Sequence, residues 1–63
     1  MEHNGNMKLY RKKKKLRLKD LAVAVGTTEA TLSRYETGQR RMPIEMAKKI
    51  APVLNVAWWR LYE

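Results

Sequence analysis

The sequence contains no cysteine, so neither a disulfide nor a thiolate metal site can staple the fold. No apolar run approaches the ~18 residues of a membrane span. The first residues also lack the apolar stretch of a secretory signal. No segment alternates apolar and polar residues as a half-buried strand does, which leaves helices to build the core. Repeats and linkers are missing too. Paired carboxylates, a Ser/His/Asp set, a glycine-rich phosphate loop and a metal-ligand cluster are all absent from the pattern. The one histidine, His3, sits in a polar leader beside Asn4 and Gly5. These absences argue against an enzyme, a cofactor or metal protein and a small-molecule receptor. They fit a soluble protein of the cytosol.

Acidic residues are scarce as well. Six Asp and Glu face fourteen Lys and Arg, for a formal net charge of +8. The isoelectric point is near 10.2. On a chain of 63 residues this is a strong field, and it favours a polyanion: DNA, RNA or an anionic membrane surface. The same length allows one domain with a thin core, because so small a domain buries only about 60% of its unfolded surface. Helix packing, with or without a partner subunit, must then supply the stability.

Turn residues divide the chain. Residues 1–6 carry Asn4, Gly5 and Asn6 without apolar periodicity and read as a loose tail; residues 7–63 read as one domain. Residues 7 to about 15 predict a first helix, with Leu9, Tyr10 and Lys13 or Leu16 as its inner stripe. Residues 18–25 predict a second, since Leu18, Leu21, Ala22 and Val25 recur at helical spacing. Gly26 stops it in a left-handed conformation. Thr28 can cap a third helix, 29–36, whose Leu32 and Tyr35 face inward. Residues 37–38 end it, and 39–42 form a basic loop. Pro43 suits the first turn of a fourth helix, where its missing N–H costs nothing. Ala47, Ile50, Ala51 and Leu54 line that helix, and Asn55 can cap it. Pro52 falls inside the pattern and predicts a bend or an early end. Residues 57–62 predict a short fifth helix.

The diagnostic feature is the junction of the second and third helices. Ala22 is small enough for close approach, Gly26 supplies the positive φ of a tight turn, and Leu32 fills the wedge with Leu21 and Val25. Such a junction aims the third helix's outer face at a DNA major groove.

Residues 16–38, LRLKDLAVAVGTTEATLSRYETG, resemble the lambdoid phage repressor and Cro (Xre-like) helix-turn-helix family. The segments DLA at 20–22, VGTT at 25–28, LSRYETG at 32–38 and KKIAPVLNV at 48–56 carry the resemblance, which spans roughly residues 7–62. It implies an all-α, five-helix lambda-repressor-like domain with its helix-turn-helix at about 18–37. It also implies a sequence-specific transcriptional regulator, a phage or bacterial repressor that binds a palindromic operator in double-stranded DNA as a homodimer.

By the same resemblance, Glu29, Ala30, Thr31 and Arg34 face bases. Arg34 can donate two parallel hydrogen bonds to guanine, and Ala30 and the Thr31 methyl can touch a thymine methyl. Glu29 can accept from cytosine N4 or serve as a first-turn carboxylate favoured by the helix dipole. Phosphate contacts fall to Arg11, Arg17, Lys19, Thr28, Thr37, Gln39, Arg40 and Arg41. The family often opens its second helix with a capping Ser or Thr and a phosphate-binding Gln; this chain has Arg17 and Leu18 there. Arg17 or Lys19 can replace the amide with a charge. In related domains an Arg of the first helix reaches the Glu ending the third, which pairs Arg11 with Glu36. Lys12 and Lys14 of the RKKKK run read as a solvated face. Of Trp58 and Trp59, one is expected on the core with Val56 and Leu61 and the other on the surface. With Tyr62 they form a candidate dimer interface, since Trp is favoured at interface hot spots. Two other readings stay open: an antitoxin or anti-repressor acting through a protein partner, and general polyanion or RNA binding driven by charge.

Overall fold

Four α-helices and a C-terminal 3-10 helix follow one another in the computed structural model, which describes residues 6–63. They are α1 (Met7–Lys13), α2 (Leu18–Val25), α3 (Glu29–Thr37) and α4 (Ile44–Leu54), with the 3-10 helix at Trp58–Tyr62. The tail expected at 1–6, with His3, lies outside the described residues apart from Asn6. No strand occurs among the described residues, so the all-helical class holds. The fifth element is a 3-10 helix rather than an α-helix. Ala57 is extended, and the five residues Trp58–Tyr62 wind after it.

The core is one cluster: Met7, Leu21, Ala22, Val25, Leu32, Tyr35, Met42, Ala47, Ile50, Ala51, Leu54 and Leu61. α2 packs on α3 and α4, and the 3-10 helix packs on α4. The inner stripe of α1 differs from expectation. Leu9 is 52% exposed, while Met7 is 1% exposed. Lys13 is exposed, and Leu16, half-buried, lies past the helix end. Met7, Tyr10 and Arg11 share a face at i, i+3, i+4 spacing, and Arg11 breaks the apolar pattern along it. Met42 is the other core residue that periodicity misses, because it belongs to a loop.

Three helices end in the same backbone motif. After α2, Gly26 takes φ +75°; its N–H bonds Val23 O, and the next N–H bonds Ala22 O at 2.9 Å. After α4, Asn55 takes φ +60°, and Val56 N–H bonds Ala51 O. After α1, Lys15 takes φ +58°, with Leu16 N–H on Arg11 O at 3.1 Å. Each is a Schellman closure, which satisfies carbonyls the helix leaves bare. Gly and Asn are the residues expected in this left-handed region; a lysine there carries backbone strain. α1 therefore stops at Lys13, short of the expected 15. Pro43 is the extended residue before α4 rather than its first helical one. α4 continues through Pro52 to Leu54, so the early end does not occur. Pro52 has no N–H to give the Lys48 carbonyl, and Lys48 is exposed.

Candidate nucleic-acid interface

α2, its turn and α3 form the expected helix-turn-helix. Ala22 and Leu32 are buried at the junction. Open space surrounds the place where a Gly26 side chain would project, with nothing within 4 Å. Glycine is needed there for the left-handed φ and not for close approach.

α3 begins on Thr28, extended at φ −108°, ψ 156°, whose Oγ1 accepts from Thr31 N–H at 3.2 Å. The Thr28 hydroxyl also donates to Thr31 Oγ1 at 2.9 Å. Glu29 lies in the first turn, where the helix dipole favours a carboxylate. Leu32 and Tyr35 turn inward. At about 100° per residue the opposite row is Ala30, Ser33, Arg34 and Thr37. Ala30, Arg34 and Thr37 are exposed, as are Thr28 and Glu29; Thr31 and Ser33 are half-buried. Ser33, three residues after Ala30, shares this row although the resemblance does not include it.

The far end of α3 is tied to the scaffold. Arg11 Nε donates to Glu36 Oε2 at 2.7 Å, and Arg11 Nη2 donates to Glu36 Oε1 at 3.2 Å. Arg11 Nη1 donates to Leu16 O at 2.8 Å. The two charged side chains are 12% and 7% exposed, so this planar, two-pronged pair is shielded from water. One guanidinium thus joins the end of α1, the α1–α2 turn and the end of α3. It is an inward residue, unlike the other basic candidates.

The remaining basic residues are exposed. Arg17 precedes α2 without a side-chain capping bond, and its Nε lies 3.7 Å from Asp20. Lys19 is on the exposed side of α2. Gln39, Arg40 and Arg41 are exposed on the loop after α3. Thr37 Oγ1 donates to Arg34 O at 3.3 Å, and Arg40 N–H bonds the same carbonyl at 3.2 Å, so the loop's start folds back on the helix. Lys12, Lys13, Lys14 and Lys15 all face solvent.

Trp58 and Trp59 separate as expected. Trp58 packs against the core cluster, and Trp59 is 56% exposed. Their rings meet edge to face with centroids 5.7 Å apart, and Lys48 Nζ lies 5.6 Å from the Trp58 centroid. Tyr62 is part-exposed, and its hydroxyl donates to Met42 O at 2.7 Å.

Residues 7–58 match the helix-turn-helix family. Among solved structures, the chain is similar to the master regulator for biofilm formation SinR, whose structure is in complex with DNA. The two superpose with a TM-score of 0.83 at 32% identity, over 92% of this chain and 94% of that one. Comparison with curated proteins returned no match.

Proposed function

Because the chain belongs to the helix-turn-helix family of the lambda-repressor (Xre) type and is thereby a DNA-binding transcription regulator, we propose that it is a repressor that reads a palindromic operator as a dimer, with α3 in the major groove. One observation carries this reading. Ala30, Arg34 and Thr37 on α3 and the arginines of the following loop are exposed together, while the same helix is locked to the scaffold by the shielded Arg11–Glu36 pair. A reading head must present polar side chains and hold still, and this arrangement does both.

In this reading Arg34 specifies guanine, with Ala30, Thr31 and Glu29 beside it, and Ser33 joins the same row. Thr28, Thr37, Gln39, Arg40, Arg41, Arg17 and Lys19 hold phosphates. Arg11 acts chiefly through Glu36, which it holds in place at the end of α3. Trp59, with Trp58 and Tyr62, supports the dimer contact. Selection of bound duplexes from a random DNA library tests the proposal. The expected product is a palindrome with half-sites about one helical turn apart. Failure to enrich any motif would refute sequence-specific reading.

The exposed Trp59 also favours a second reading, in which a different protein is the main partner, as for an antitoxin or anti-repressor. Sedimentation with the selected duplex separates the two. Two copies per palindrome support the repressor; a protein that stays single on DNA points to a heterologous partner.

A further inference from the structure

The loop between α3 and α4 is fixed at two points. At its start, Arg40 N–H bonds Arg34 O. At its end, Met42 is 6% exposed, and Met42 O accepts from the Tyr62 hydroxyl at 2.7 Å. Arg40 at the first point and Arg41 between the two face solvent. Beneath the loop runs an open groove of about 340 Å³, walled in part by Gly38, Arg40, Arg41, Leu61 and Tyr62. The loop therefore arches over space instead of lying on continuous packing.

Tyr62 is itself held. Its ring meets Trp58 edge to face, with centroids 6.3 Å apart and planes at 84°. Trp58 packs on the core, and the 3-10 helix that carries both rings packs on α4. The 3-10 helix has a second tie, from Asn6 Nδ2 to Arg60 O at 3.2 Å. Burial raises the Tyr62 phenol above its usual range, and Tyr35 pushes the same way while Arg41 opposes. The hydroxyl remains a donor at neutral pH.

From this chain of contacts we infer that Tyr62 is a positioning residue for DNA binding: its hydroxyl, through Met42 O, sets the arch that presents Arg40 and Arg41 to the phosphate backbone. The inference rests on the reading of those arginines as phosphate contacts. It gives the C-terminal aromatic a task beyond self-association. A tyrosine is required because only the hydroxyl reaches the carbonyl; the ring alone packs equally well as phenylalanine.

The test is a cycle of Tyr62→Phe against the double variant Arg40→Ala/Arg41→Ala. Binding is measured on a mixed-sequence duplex at low salt, because phosphate contacts do not depend on sequence. Tyr62→Phe should weaken binding about fivefold, the ordering cost of a loosened two-arginine loop. The slope of affinity against salt should be retained, since both charges remain. Arg40→Ala/Arg41→Ala should weaken binding and reduce that slope by nearly two. In that background Tyr62→Phe should cost nothing more. In the free protein, Tyr62→Phe should speed amide exchange at residues 39–41 and leave α2 and α3 unchanged. An equal Tyr62→Phe loss in both backgrounds overturns the inference, because the tyrosine then acts through self-association or overall folding. So does undiminished binding by Tyr62→Phe when the arginine variant binds poorly, an outcome that leaves the phosphate reading intact. If the arginine variant binds as well as the parent, the phosphate reading itself fails, and the inference with it.

Discussion

At its N-terminal end α3 is held by a neighbour: Thr28 Oγ1 accepts from Thr31 N–H, three residues on. At its C-terminal end it is held by a residue 25 positions away, through the two-pronged pair of Arg11 with Glu36. The first tie is exposed and the second is shielded. The contrast separates two tasks. The exposed end can adapt to bases at small cost, since a cap is worth about 1 kcal/mol. The shielded end fixes where the helix points, because breaking a buried pair strands a charge away from water. A reading helix needs one end of each kind.

Glu36→Ala should break the comparison most severely. It leaves the shielded Arg11 guanidinium without its carboxylate, at a cost of about 3 kcal/mol. A domain this small has only about 3–9 kcal/mol in all. Thermal melting should therefore shift well down, and DNA affinity should fall with it. An unchanged melt would mean that the pair does not secure α3.

Arg34→Ala probes the face between the two ends. It should leave the melt in place and relax preference at one base per half-site, by about 1–3 kcal/mol. Selection repeated on the variant reads this directly. A loss spread evenly over all sequences would make Arg34 a phosphate contact instead.

Thr28→Ala removes the local cap and should cost about 1 kcal/mol by chemical denaturation. If it costs as much as Glu36→Ala, the division between a soft and a firm end is wrong. The smallest effect expected is a gain. Lys15→Gly relieves the left-handed backbone beside Arg11 and should stabilise the domain by up to about 1 kcal/mol. The mirror test, Gly26→Ala, should cost a similar amount from backbone strain, since the space there is open. Opposite signs for the two would show that the three Schellman turns differ only in how well their residues tolerate φ.

Much of the fold was legible because it is written at short range. Leu18, Leu21, Ala22 and Val25 give a helical stripe that needs no partner to be seen. Gly26 and Thr28 act within a few residues of themselves, and so do their signals. The inner face of α1 is not legible, for the opposite reason. Its third inward residue is Arg11, acceptable there only because Glu36 waits on another helix. A stripe containing a charge reads as a stripe broken, and Leu9 took the place that belongs to Met7. The candidate base-contacting residues of α3, which the resemblance implies, sit on or beside its open row. Helical spacing adds Ser33 to that row.

The sequence by itself determined the helices, the sharp turn between α2 and α3, and the positive field around them, because periodicity, turn chemistry and net charge are local or additive properties. Only the tertiary structure decided that Arg11 faces inward, that Met7 and Met42 complete the core, that Trp58 rather than Trp59 packs against it, and that Tyr62 reaches the loop of Arg40 and Arg41. Each of those outcomes depends on a partner 20 or more positions away or on which face of a helix finds cover. Residue type alone does not encode the position of a distant carboxylate, carbonyl or cavity; the packing of the helices sets it.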